Sequence, residues 1–186
     1  MLPHRILFDE DTIHRRVQEL AADIARDLPD PAPLLLGVLT GSFVFLADLA
    51  RELARHGVEP TIRFIQMSHY GPGTEADRPV SVASADLPAV HGKIVLVVDD
   101  IFDSGKTLSH LWDVLTVQQP AWLKLCTFLD KPSRHQVVLK PDYVGMVVPD
   151  VWLIGYGLDL NDIGRALPYI GAVDVERVTE QEHQKP

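Results

Sequence analysis

The stretch "VLVVDDIFDSGKTL", residues 95–108, decides how the rest of the chain is read. Aliphatic, mostly β-branched residues run straight into the adjacent Asp99 and Asp100, and Asp103, Ser104, Gly105, Lys106 and Thr107 follow at once. Such a run bounded by turn residues is a buried strand, and the apolar spacing after Gly105 is that of a helix. The turn between them is an anion site, because free backbone N–H groups and the positive end of the helix dipole meet there. Gly105 lets the backbone come close, while Ser104 and Thr107 add hydroxyl donors. Asp99 and Asp100 repel each other at the strand's carboxyl end, so they suit ligand hydroxyls or a hard cation such as Mg2+. One ligand meets both demands: a sugar phosphate whose hydroxyls face the carboxylates. The "GKT" triplet is not a nucleotide P-loop, which needs a glycine five residues before Gly105, where Asp100 stands. Capping and turn duty would explain one of the three aspartates, not all of them.

Outward from that stretch, the chain has the makings of one domain. Its 186 residues suffice for a full hydrophobic core, and 46% hydrophobic against 23% charged residues excludes a disordered chain. The formal charge of −9, without a Lys/Arg run, disfavours nucleic acid as a partner. The single cysteine, Cys126, excludes an internal disulfide and a multi-cysteine metal site; within "WLKLCTFL" it reads as a buried structural thiol. None of the eight histidines shows a metal-ligand spacing with acids or cysteine. The first residues lack a basic segment followed by an apolar one, and no segment has the ~18 apolar residues of a membrane helix, so a cytoplasmic protein is expected.

Apolar residues at spacings of three and four predict a helix over 12–28, capped by Asp11 or Thr12. A strand follows at 34–39, a helix from Ser42 to Gly57, and a strand at 61–68. Residues 69–91 are rich in Gly, Pro, Ser and Asp and read as a long mobile loop or loose hairpin, a length that often marks a functional lid. Then come a strand at 93–99, a helix at 105–118, and strands at 122–129, 142–148 and about 153–156. Strands alternating with helices imply an α/β fold with a mainly parallel twisted sheet, whose ligands bind beyond the strands' carboxyl ends.

The opening stretch resembles the 5-phosphoribosyl-1-pyrophosphate (PRPP) motif of the type I phosphoribosyltransferases: hydrophobic run, two acids, two variable residues, Asp, Ser or Thr, Gly, and Thr two residues on. Residues 129–173 are similar to the base-covering region of the hypoxanthine-guanine phosphoribosyltransferases, in "DK", "KPDYVG", "VPD" before an aromatic, "GYGLD", an Arg six residues after that Asp, and "LPYIG". With "VLTGSFVFLADLAREL" and "SHYGPGT", the resemblance covers almost the whole chain. It implies one domain over 1–186, with a small hood over the base formed by about 130–175 and the N-terminal segment. The activity implied is Mg2+-dependent transfer of the phosphoribosyl group of PRPP to a 6-oxopurine in purine salvage.

Residue by residue, the resemblance makes Trp152 the aromatic that stacks on the purine and Lys131 the donor to its 6-oxygen, with the backbone around Leu153 reading N1 and the 2-position. Such a donor matches hypoxanthine and guanine and faces another donor in adenine. Asp103 becomes the general base near N7. Asp99 and Asp100 hold the ribose hydroxyls, partly through Mg2+ or water, and Ser104 to Thr107 take the 5-phosphate. Asp159 holds Mg2+ on the pyrophosphate side and Arg165 pairs with pyrophosphate. Thr40, Gly41 and Ser42 bind pyrophosphate through backbone N–H groups, and Ser68 and Tyr70 sit on the closing loop. The chain departs from the family at Thr40, where a basic residue is common, at Val151, often Lys, and at Asp99, often Glu. The competing expectations are a phosphoribosyltransferase for xanthine and a PRPP-sensing, RNA-binding regulator on the same fold. A homodimer or homotetramer is also implied.

Overall fold

The computed structural model describes residues 4–69, 80–82 and 87–174. A six-stranded sheet runs in the order β4-β3-β2-β5-β6-β7. Its five parallel strands are β2 (Leu34–Leu39), β3 (Thr61–His69), β5 (Ile94–Phe102), β6 (Trp122–Asp130) and β7 (Tyr143–Val147). The short β4 (Val80–Val82) adds antiparallel to the edge of β3, with Met67 opposite Val82. The segment expected as a loop or loose hairpin thus contributes a strand; residues 70–79 and 83–86, Tyr70 among them, lie outside the described residues.

Period-two alternation sorts the strand side chains between two cores. Leu35, Leu96, Val98, Cys126 and Phe128 face α1 (Glu10–Asp27) and α2 (Phe43–Arg55) on one side of the sheet. Leu34, Leu36, Val38, Val95, Val97 and Leu125 face α3 (Lys106–Val117) on the other. Helix α1 begins earlier than expected. Its cap is Asp9, which accepts the Thr12 N–H at 2.9 Å, rather than Asp11 or Thr12, and Glu10 and Asp11 complement the dipole in the first turn.

A second, three-stranded antiparallel sheet, in the order β1-β9-β8, brings the two ends of the chain together: β1 (His4–Phe8), β8 (Leu153–Ile154) and β9 (Ile170–Val173). Neither β1 nor β9 was expected from sequence, since each is too short to show a period and exists through a partner at the other end of the chain. Among the described residues no helix is long and apolar enough to cross a membrane.

Candidate active site

Two clefts open at the carboxyl ends of the parallel strands, and Asp103 lines both. The first, about 240 Å3, lies between the end of β2 (Leu39, Thr40, Gly41) and the β5–α3 junction (Asp99, Asp100, Ser104, Gly105, Thr107). Strand β5 runs on to Phe102, so Asp99 and Asp100 sit within it and not past its end. Continued pairing with β6, Ile101 opposite Leu129 and Phe102 opposite Asp130, explains the extra length. One oxygen of Asp99 accepts the Asp100 N–H, and one of Asp100 accepts the Ile101 N–H, each at 3.0 Å. Loss of water pushes the Asp99 carboxyl well above the ordinary carboxylate range, and the neighbouring Asp100 charge adds to it. Desolvation raises Asp100 too, with Arg165 working against it.

The turn into α3 has the backbone that an anion requires. Gly105 holds φ at 78°, no side chain caps the helix, and a β-carbon at Gly105 would sit 2.5 Å from the Phe102 ring. In the first turn the Lys106 N–H meets the Ser104 hydroxyl at 3.4 Å, while Gly105, which precedes it, has no side chain to cap the helix. Lys106 is exposed and does not line the cleft, so the phosphate-binding role expected for it has no side-chain support here. Opposite, Gly41 packs under Asp100 so closely that a β-carbon would fall 1.8 Å from Oδ2. The Leu39–Thr40 peptide is cis. The Ser42 hydroxyl is buried and donates to the Val38 carbonyl at 2.6 Å, which leaves only its backbone for a ligand.

The second cleft, about 250 Å3, is lined by Asp103, Lys131, Arg134, Asp150, Val151 and Trp152. Lys131 is only 6% exposed. Its N–H donates to the Phe102 carbonyl at 2.9 Å, and its Nζ lies 3.7 Å from Asp103 Oδ2. Arg134 donates to Asp103 Oδ1 at 2.9 Å and lies 3.8 Å from Asp150. Trp152 is 59% exposed although large and aromatic, so it lines the cleft without serving as a core residue. Leu153 points into the core and does not line the cleft; the neighbouring Val151 and Trp152 do. Arg134 was not singled out from sequence. Pro132 starts a 3-10 turn that carries it back over Asp103, so Pro after Lys131 was the available signal.

Asp159 and Arg165 are together but line neither cleft. They pair with each other at 2.5 Å, Asp159 also accepts the Asp162 N–H, and Arg165 donates to the Gly157 carbonyl at 2.6 Å. This corner touches the first cleft through glycine: a β-carbon on Gly157 would sit 2.1 Å from the Gly41 carbonyl. Ser68 lies in β3 opposite Ser81. Cys126 is buried, as expected, and burial pushes its thiol upward. Among the described residues no three His, Cys, Asp or Glu gather as a metal cage.

Two clefts joined at Asp103 beyond the carboxyl ends of a parallel α/β sheet are the setting of a phosphoribosyltransferase. Residues 6–161 match the phosphoribosyl transferase domain. The hypoxanthine-guanine phosphoribosyltransferase of Aquifex aeolicus is 40% identical over 171 residues, 91% of this chain and 94% of that protein. Hypoxanthine phosphoribosyltransferase of Escherichia coli K12 is 39% identical over 90% of this chain and 94% of its own. Among solved structures, a variant of the Trypanosoma cruzi hypoxanthine phosphoribosyltransferase in a ternary substrates complex superposes with a TM-score of 0.85 at 37% identity, covering 94% of this chain and 97% of that one. The chain belongs to the phosphoribosyl transferase family, and within it to the hypoxanthine-guanine phosphoribosyltransferases.

Proposed function

We propose how this enzyme of purine salvage moves the phosphoribosyl group of PRPP to hypoxanthine or guanine: Asp103 is the hinge between the two half-sites. The observation that carries this reading is that Asp103 alone lines both clefts. The 5-phosphate rests on the backbone N–H groups of 104–107 with the Ser104 and Thr107 hydroxyls, and the ribose hydroxyls face Asp99 and Asp100. The purine stacks on Trp152 under the small β1-β9-β8 sheet, which serves as the hood of a single domain.

Guanine and hypoxanthine present N7 and O6 on one edge. Lys131 and Asp103, 3.7 Å apart, meet that edge side by side, the ammonium donating to O6 and the carboxylate facing the N7 position. Adenine places an amino donor against Lys131 and leaves both groups unpaired. In the transfer the C1–O bond to pyrophosphate breaks, with its electron pair leaving on pyrophosphate. The bond from C1 to purine N9 forms, and the purine's ring proton passes to Asp103 Oδ2, while Arg134 holds Oδ1.

Asp99 and Asp100 suit a divalent cation, because a positive charge offsets the lost hydration that raises both and the Asp100 charge that adds to it at Asp99. Asp99 and Asp100 would hold Mg2+ through ribose hydroxyls or water, and the ion would supply charge neutralisation for the departing pyrophosphate. Asp159 would join only after yielding its present pair with Arg165. Backbone N–H groups of Thr40, Gly41 and Ser42 take the pyrophosphate, with Arg165 behind them. The exposed Phe43, Ile62 and Phe64 support a homodimer or homotetramer, which light scattering would show.

The test is initial rates with PRPP and Mg2+ on hypoxanthine, guanine, xanthine and adenine, beside Asp103→Asn. Turnover of the first two is expected to fall about 10²–10⁴-fold in the variant. Adenine as the best substrate would overturn the role of Lys131, xanthine as the best would keep that role but replace the substrate, and an unimpaired variant would overturn the role of Asp103.

A further inference from the structure

The pyrophosphate loop is held by a contact outside both clefts. Gly155, Tyr156 and Gly157 all have positive φ, at 96°, 50° and 99°. For the two glycines this is ordinary; for tyrosine it is a sparsely populated conformation that its surroundings must enforce. The Tyr156 ring lies 5.0 Å from Phe128, which lies 5.0 Å from Phe45 on α2. Its N–H donates to the Leu167 carbonyl at 2.8 Å, and its hydroxyl donates to Asp48 on α2 at 2.9 Å. Asp48 also accepts from Arg51. Burial and the Asp48 charge keep the phenol protonated, hence a donor.

The same turn presses Gly157 against the Gly41 carbonyl and receives the Arg165 guanidinium on its own carbonyl. Gly41 belongs to the loop that leads into α2, the helix that carries Asp48. Loop, helix and turn therefore form a closed ring with two contacts: Gly41 against Gly157, and Asp48 with Tyr156. Resting on the function proposed above, we propose that Asp48 and Tyr156 are a positioning pair for the pyrophosphate half of the reaction, setting the height of the 40–42 backbone donors and of Arg165. Neither residue touches substrate.

The pair borders a polar cavity of about 410 Å3 that Arg51 and Arg165 also line, so removing the hydroxyl leaves space for water and the ring packing intact. Tyr156→Phe is therefore expected to fold. Its binding of pyrophosphate, by calorimetry, and its KM for PRPP should weaken about ten-fold, equivalent to about 1.4 kcal/mol. The KM for hypoxanthine should hold. Asp48→Asn keeps an acceptor for the hydroxyl and should stay near wild type, whereas Asp48→Ala should reproduce Tyr156→Phe. A lower melting temperature with unchanged pyrophosphate affinity, or equal losses toward PRPP and purine, would overturn the pair. Wild-type protein that binds pyrophosphate yet turns over no base would instead refute the function, leaving the calorimetric test of the pair intact.

Discussion

The two clefts meet at one aspartate and are built in opposite ways. The phosphate cleft is made of backbone: helix N–H groups behind Gly105, a loop at Gly41, and two carboxylates within β5 whose backbone pairs with β6. The purine cleft is made of side chains that lie on short turns, with Lys131, Arg134 and Trp152 aimed inward. A site built largely on backbone tolerates an added atom poorly, because the backbone has no rotamer to give up and only the two carboxylates can turn away. A side-chain site degrades by degrees as single groups are trimmed. Substitutions should therefore fail sharply in one cleft and gradually in the other.

The sharpest break is Gly41→Ala. Its β-carbon would overlap the Asp100 carboxylate, so that carboxylate must swing off the site or the loop must move. Displacement by an ångström costs about 10²-fold in comparable sites. We expect at least about that loss in kcat/KM for PRPP, with purine affinity in the absence of PRPP unchanged. An active alanine variant would show that the loop is not held against β5 in solution.

Next in size is Trp152→Ala. Stacking on an aromatic is worth about 1–3 kcal/mol per base. Because Trp152 is half-exposed and packs little core, the loss should appear in the purine KM, roughly five- to 150-fold, with a small change in melting temperature. A variant that melts much earlier but binds hypoxanthine normally would make Trp152 a packing residue and leave the purine cleft without its platform.

This difference in construction also governed what could be read in advance. The phosphate cleft is local: strand, carboxylates, glycine and helix start lie within residues 95–108, so spacing alone exposed its chemistry. The sheet of β2, β3, β5, β6 and β7 was legible for the same reason, each strand being a short run rich in apolar or branched residues. The purine cleft was reached through the resemblance of "KPDYVG" and "VPD" to known relatives. Nothing local says that Lys131 is buried or that Arg134 returns to Asp103. Strands β1 and β9 escaped because their pairing joins His4 to Val173. Tyr156 and Asp48 escaped because 108 residues separate them.

The smallest expected effect tests the electrostatics of the backbone-built cleft. Asp99 and Asp100 ionise less readily in the folded protein than in the unfolded chain. Between the ordinary aspartate value and the raised one, the folded state holds more protons, so ν_U − ν_N is negative and stability falls as pH rises through that window. The contribution is most favourable below the unfolded value and is fully lost above the folded one. A cation over the pair requires the ionised form, so PRPP with Mg2+ should bind more weakly as pH drops and should release protons on binding, detectable as a buffer-dependent calorimetric heat. Asp99→Asn removes one charge of the pair. Without ligand it should melt higher than wild type at pH 7, by about 2–4 °C for each kcal/mol relieved, and show a flatter dependence of melting temperature on pH. It should also lose affinity for PRPP. A variant that melts lower than wild type at pH 7 would mean that the pair stabilises the empty site, and that its carboxylates are not held there for a ligand.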